Sequence, residues 1–243
     1  ILEFENFDLE KLNLLQVEEI PADASLVIVT SPSTDYTEEE VEKLRAYLYA
    51  GGKAIFALDK VTDVDFININ ELLRSYGVQF RQQWVIESDS TRHLPNQRNL
   101  MVPEIEGHAI TAPISSDRRL LVLPAPAWIE ELEMRRRSLE IHRLLTSSEL
   151  SFARDELAFT EAAELLARDG DPLGPFAVAV AITEPPEDVD GDETRIVVIA
   201  TSVFLNPQLT QSFPGNVDLM LNSINWVYQR EETISVRPKV TMM

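Results

Sequence analysis

The chain has 243 residues, 44% of them hydrophobic, which fits one large α/β domain, or one domain with a sizeable insertion, and excludes bulk disorder. Its 41 acidic against 21 basic residues leave a net charge of −20, which repels phosphate backbones and anionic lipid surfaces and argues against nucleic acid as a partner; the charge fits a solvated acidic surface or one that takes cations or a basic partner. With 0 cysteines, no disulfide framework, thiolate zinc site or cysteine nucleophile can be built.

Residues 1–24 scatter Phe4, Phe7, Leu9, Leu12, Leu14 and Leu15 ahead of Pro21 and its neighbouring acids, and predict a short strand and a turn. Residues 26–29 are a short apolar run broken by Ser31-Pro32. Thr37 then offers a hydroxyl cap with Glu40 three residues on, the reciprocal capping-box pattern. Val41, Leu44, Tyr47 and Leu48 follow at helical spacing, and Gly51-Gly52 closes the helix. Residues 54–58 are a second apolar run, ended by Asp59. Strand, capped helix, glycine stop and strand make a βαβ unit, which requires a right-handed crossover and a parallel sheet.

Further on, residues 61–69 predict a loop, residues 70–76 a short helix stopped by Gly77, and residues 78–86 one extended run. Polar and turn-forming residues with Pro95, Pro103 and Pro113 predict an irregular surface excursion over 87–113. Residues 120–123 and 138–145 read as strands, and the run TEAAELLARDG, ending at Gly170, reads as a helix. Residues 176–182 and 195–200 predict an antiparallel pair appended to the parallel core, with Asp190-Gly191 as a hairpin turn. Residues 216–228 predict an amphipathic helix with Leu219, Met220, Ile224 and Val227 on one face, and 231–239 an extended tail. The longest apolar stretch, residues 176–182, is far below the roughly 18 residues a membrane span needs, and the chain, opening at Ile1, reads as a fragment of something longer.

Ligands of open parallel sheets lie beyond the carboxyl ends of the strands. Three stretches qualify: Ser31, Thr34 and Asp35 after the first strand, Asp59 after the second, and Thr201, Ser202 and Asn206 after the late strand. Hydroxyl, amide and carboxylate groups of this kind hold a small anion or a sugar; the competing reading makes them caps and turn residues. Asp35 and Asp59 are also the only carboxylates the sequence places near one sheet edge for glycan hydrolysis. The acidic run 188–193 has glycine at position four rather than the six of an EF-hand, which makes it an acidic turn. His93, His108 and His142 lack metal-pair spacing, and neither a G-x-S-x-G elbow nor a phosphate-binding or dinucleotide glycine motif occurs. No cofactor, metal or catalytic residue is expected.

Two stretches carry a family resemblance: TDYTEEEVEKLRAYLYAGGKAIFALD, and RIVVIATSVFLNPQLTQSFPGNVDLMLNSINWVYQREETISVRPK. The matching positions in the second are Asn206, Gly215, Asn216, Asp218, Leu219, Asn222, Asn225, Trp226 and residues 234–239. HAIT at 108–111, LLTSS at 144–148 and GPFAVAVA at 174–181 fit in order between them. On these residues the chain resembles the GldG-like auxiliary proteins of ABC transporters. That resemblance implies an extracytoplasmic domain, periplasmic or at the cell surface, anchored by a transmembrane helix beyond the ISVRPK tail. It further implies a separate ABC permease and ATPase as partners, and a possible carbohydrate or peptide ligand. The fold it implies is a glutamine-amidotransferase-like (flavodoxin-like) three-layer architecture, shared with intraflagellar-transport proteins, without its catalytic residues. The amidotransferase reaction needs a cysteine nucleophile, which composition excludes. Where relatives often carry an aspartate near the end of the late strand, this chain has Thr201-Ser202-Val203.

The resulting expectation is a single α/β domain over 1–243 with a mixed, mostly parallel sheet covered by helices. Its expected role is a non-catalytic auxiliary or ligand-binding domain of an ABC-type transport system. A protein–protein scaffold docking on the permease and a degenerate glycan hydrolase are the alternatives. Binding predicts a concave polar site at the strand ends; a scaffold predicts an exposed apolar patch around Trp128 or residues 94–113.

Overall fold

A computed structural model of the protein describes residues 8–156, 166–186 and 191–228. In chain order it contains β1 (Val27–Thr30), α1 (Glu38–Tyr49), β2 (Lys53–Ala57), α2 (Ile67–Ser75), β3 (Val78–Arg81), β4 (Trp84–Ile86), β5 (His93–Leu94), β6 (Gln97–Met101) and β7 (Glu104–Ile105). There follow α3 (Ala112–Ser116), β8 (Leu123–Pro124), β9 (Trp128–Glu131), β10 (Glu140–Thr146), β11 (Phe152–Arg154), β12 (Ala177–Glu184), β13 (Thr194–Ile199), α4 (Pro207–Ser212) and α5 (Pro214–Val227).

The βαβ unit forms as its local chemistry dictates. The Glu40 N–H donates to Thr37 Oγ1 at 3.3 Å while the Thr37 N–H donates to Glu40 Oε2 at 2.9 Å, the two halves of a capping box. Val41, Leu44 and Leu48 bury the inner face of α1. Gly51, at φ +86°, ends the helix in a left-handed conformation, and a Cβ there would stand 2.5 Å from the Asp192 carbonyl oxygen. β1 then pairs parallel with β2, Val27 opposite Ala54 and Thr30 opposite Ala57.

The main sheet runs β1-β2-β13-β12-β10-β7, with β9 against the start of β12 and β3 on β9. Its mixed character is as predicted, but its parallel majority is not. Among the described residues only β1–β2 and β2–β13 are parallel, and the pairings of β12 with β13, β10 and β9, of β10 with β7 and of β3 with β9 are antiparallel. The hairpin strands β12 and β13 are also not appended. β13 adds parallel to β2 from Arg195 opposite Lys53 to Ile199 opposite Ala57, which puts the hairpin in the middle of the sheet. Six successive residues of β12 are buried, because helices or loops cover both faces; a doubly covered strand reads as one apolar run whichever way its neighbours point.

Alternation along these strands feeds two cores. Phe56, Val180, Ile196 and Val198 pack with Leu44, Leu48, Ile69 and Leu72 of α1 and α2 on one face. Ile55, Ala179, Val197 and Ile199 pack with Ile114 of α3 and Leu219, Met220 and Ile224 of α5 on the other. The predicted apolar face of α5 is buried, and so are Asn216, Asp218, Asn222 and Ser223.

Three further local expectations are corrected. Residues 8–24 hold no strand: the Asn13 side chain accepts from the Leu15 N–H at 3.0 Å, competing with strand pairing, and Leu14 and Ile20 are buried from an irregular path. The excursion 87–113 is not irregular throughout. β5, β6 and β8 form a small antiparallel sheet, and β7 joins the edge of the main one. β5 and β7 are two residues each, too short to show a period; β5 and β6 pair as a local hairpin, and β8 and β10 reach β6 and β7 from further along the chain. Residues 78–86 split at a turn closed by the Gln83 N–H on the Arg81 carbonyl, sending β3 to the main sheet and β4 to pair with β11. Most of TEAAELLARDG, Asp190 of the proposed hairpin turn and the 231–239 tail lie outside the described residues.

Candidate functional site

β2 and β13 are neighbours and parallel, so the residues leaving their carboxyl ends meet. The Leu58 N–H donates to the Ile199 carbonyl at 3.0 Å, carrying the pairing to the edge of the sheet. One residue further, Asp59 Oδ1 accepts from the Ser202 N–H at 2.7 Å and from the Thr201 hydroxyl at 3.3 Å, while Oδ2 accepts from Ser202 Oγ at 2.5 Å. Thr201 is buried and also accepts from the Val203 N–H at 3.2 Å. The knot fixes the turn that leads from β13 into the short 3₁₀ helix Val203–Leu205.

Of the remaining predicted residues, Ser31 lies at the end of β1, exposed and at φ +46°, with its N–H on the Ala57 carbonyl at 3.0 Å. Thr34 is exposed on the following loop. Asp35 turns to α2: Oδ2 accepts from the Asn68 N–H at 2.7 Å and Oδ1 from Ile69 at 3.2 Å and Tyr36 at 3.0 Å. It caps a helix whose own preceding residue, Phe66, cannot. Asn206 is exposed and caps α4 through the Gln208 N–H at 3.0 Å. The rim therefore joins Asp59, Thr201 and Ser202, while Asp35 and Asn206 serve as caps.

A groove of about 1190 Å³ opens at the other end of the same strands, before β1, β2 and β13 begin. Glu18, Glu19, Glu39, Glu42 and Asp192 line it, with Ile20, Ala46, Ala50 and Tyr47 between them. The Tyr47 hydroxyl ties its floor, lying 3.1 Å from the Ala24 carbonyl and accepting from the Lys53 N–H at 3.2 Å. Burial pushes that hydroxyl above the usual tyrosine value. Strand-end reasoning pointed to the carboxyl rim, and only the clustering of acids in residues 18–19 and 38–42 signals this end in the sequence.

The half-buried His108 ring packs edge-on against Trp226 at 5.1 Å and lies 5.6 Å from His142. Arg195 stacks over Trp226 at 5.0 Å and donates to its carbonyl at 2.7 Å. Burial first, then His142 and Arg195, pull the His108 pKa down to about 4, and its Nδ1 accepts from the Ile110 N–H at 3.2 Å in the neutral form. Because the folded value lies below the unfolded one of 6.5, stability is complete above pH 6.5 and falls as the pH drops towards 4. Full linkage would be about 3 kcal/mol; solvent on the open side reduces it to about 1–2 kcal/mol. Urea titrations between pH 7 and 4.5 should show this slope, and His108→Gln should flatten it. Among the described residues, no group of three or more His, Asp or Glu is placed to hold a metal ion.

The family-matching residues Gly215, Asn216, Asp218 and Asn222 hold α5 in place. Asn216, fully buried, donates to the Val122 and Phe204 carbonyls at 2.9 and 2.8 Å and accepts from the Val122 N–H at 2.9 Å. A Cβ on Gly215 would stand 2.7 Å from the Leu120 carbonyl oxygen. Asp218 pairs with Arg119 at 3.0 Å, and Asn222 donates to the Ile110 carbonyl at 2.9 Å.

A family model described as "ABC-type uncharacterized transport system" matches residues 3–223. No curated protein matches the chain. Among solved structures, one titled "mmIFT52 N-terminal domain" is similar, with a TM-score of 0.60 and 16% identity over 89% of this chain and 81% of that one. At that identity the likeness is one of fold.

Proposed function

Because the chain belongs to the family described as "ABC-type uncharacterized transport system", we propose that it is a non-catalytic auxiliary domain of such a system, acting by binding or docking. One observation carries the non-catalytic part. Both oxygens of Asp59 and both of Asp35 already accept hydrogen bonds from the protein's own groups. A glycosidase needs one carboxyl group to protonate the leaving oxygen and a second to attack the sugar or activate water. Here one carboxylate closes a turn and the other caps a helix. A sugar or peptide at the rim would meet an Asp59 whose Oδ1 is filled and whose Oδ2 keeps one accepting site beside the Ser202 hydroxyl.

A scaffold acting through the patch named above finds little support. Trp128 packs on Phe176 at 5.0 Å and donates from Nε1 to Gln83 at 3.1 Å, and no large apolar residue within 94–113 is exposed. The same proposal takes from the family resemblance an amidotransferase-like layered fold, a permease and an ATPase as partners, and an extracytoplasmic position held by a membrane anchor. No helix among the described residues is long and apolar enough to cross a membrane.

The test is turnover. The purified chain, incubated with chromogenic glycosides, esters and anilides, is expected to release no product above background. Any turnover that Asp59→Asn or Asp35→Asn abolishes would overturn the reading.

A further inference from the structure

We propose that the groove at the amino ends of the parallel strands docks an extended, lysine- or arginine-bearing segment of a partner protein. Its volume of about 1190 Å³ is larger than a small metabolite requires and suits several residues of extended chain. Its charge selects the sign of the occupant. Glu39 and Glu42, paired with Lys43 at 2.7 Å and with Arg45 at 3.1 Å, still keep 74% and 73% of their side chains exposed. Glu18, Glu19 and Asp192, in no ion pair among the described residues, add unneutralised charge to the lining. The two lysines that line it are engaged internally: Lys43 donates to the Leu14 carbonyl at 2.9 Å and to Glu39 at 2.7 Å, and Lys53 to the Gly51 carbonyl at 3.3 Å. An anion meets net repulsion there.

Between the carboxylates the wall is apolar, formed by Ile20, Ala22, Ala46, Ala50 and the Tyr47 ring. A bare metal ion has no use for such a wall, whereas the methylene stems of lysine and arginine lie along apolar surface while their heads reach carboxylates. An elongated cation with aliphatic stems matches both features. A basic peptide is that chemistry.

The inference rests on the docking reading for its purpose, but its test does not. Turnover of a glycan, ester or amide would defeat that reading, whereas the groove is judged by binding alone. The probe is a fluorescent eight-residue peptide of alternating lysine and valine, titrated into the full chain, with a glutamate–valine peptide as control. Saturable binding of the lysine peptide alone is expected. Glu18→Gln, Glu39→Gln and Glu42→Gln together should weaken it about tenfold. Glu71→Gln, Glu133→Gln and Glu149→Gln, which remove the same charge from exposed positions outside the groove, should change it by less than about twofold. Equal losses in the two triple variants would reduce the effect to bulk charge and overturn the proposal, as would absence of saturation. Tighter binding on combining Arg230→Gln, Arg237→Gln and Lys239→Gln would overturn it too, by giving the groove to the chain's own basic residues.

Discussion

Asn216→Ala is expected to lower the unfolding free energy by about 3–5 kcal/mol, enough to leave little folded protein. One fully buried amide satisfies both backbone groups of Val122 and the carbonyl of Phe204. It thereby ties α5 to Val122 and to the 3₁₀ turn that follows the Asp59 knot. Alanine leaves three buried polar groups without partners, at about 1–3 kcal/mol each, offset in part by relaxation. Asn216→Asp separates this account from simple loss of volume. It keeps the acceptor for the Val122 N–H but turns a carboxylate oxygen onto two carbonyls, so it should be at least as damaging. Urea denaturation reads both, and a loss below about 1 kcal/mol for either would show that the staple does not hold the helix.

Glu87→Ala should cost about 2–4 kcal/mol. The side chain is fully buried just after β4, and its carboxylate accepts from Ser148 Oγ at 2.6 Å, the Ser148 N–H at 3.0 Å and the Asp89 N–H at 2.8 Å. It thus joins the end of β4 to the turn after β10, where LLTSS ends. Removing it leaves two buried or half-buried N–H groups unpaired. Ser148→Ala, which deletes a single hydroxyl, should cost about 1 kcal/mol. Since the two residues share one network, the double variant should cost less than the sum. Strict additivity in denaturation midpoints would mean that the contact does not couple the two segments.

Caps, glycine stops and the first βαβ unit are readable because their partners lie near one another in the chain, although the equally local β5–β6 hairpin is not. Thr37 and Glu40 announce their own capping box, Gly51 its left-handed stop, and the two apolar runs around α1 their parallel pairing. The apolar stripe over 216–228 locates α5 to within two residues of its observed bounds, Pro214–Val227. The β12–β13 pair was recognised as antiparallel, but its place in the middle of the sheet was not, since burial on both faces erases the alternation that would tell an edge from a centre. The short strands between 93 and 105 left no periodic trace at all.

The candidate site divides in the same way. Strand-end logic brought Asp59, Thr201 and Ser202 onto one rim from residues 143 apart. It could not tell that the carboxylate would be consumed by the very hydroxyl and N–H beside it, nor that Asp35 would cap α2 from 33 residues away. Capping, glycine stops and helical stripes are written in residue types because their energies are local. Sheet order, the use made of each rim carboxylate and the acidic groove depend on which distant segments pack together, and that the folded core alone decides.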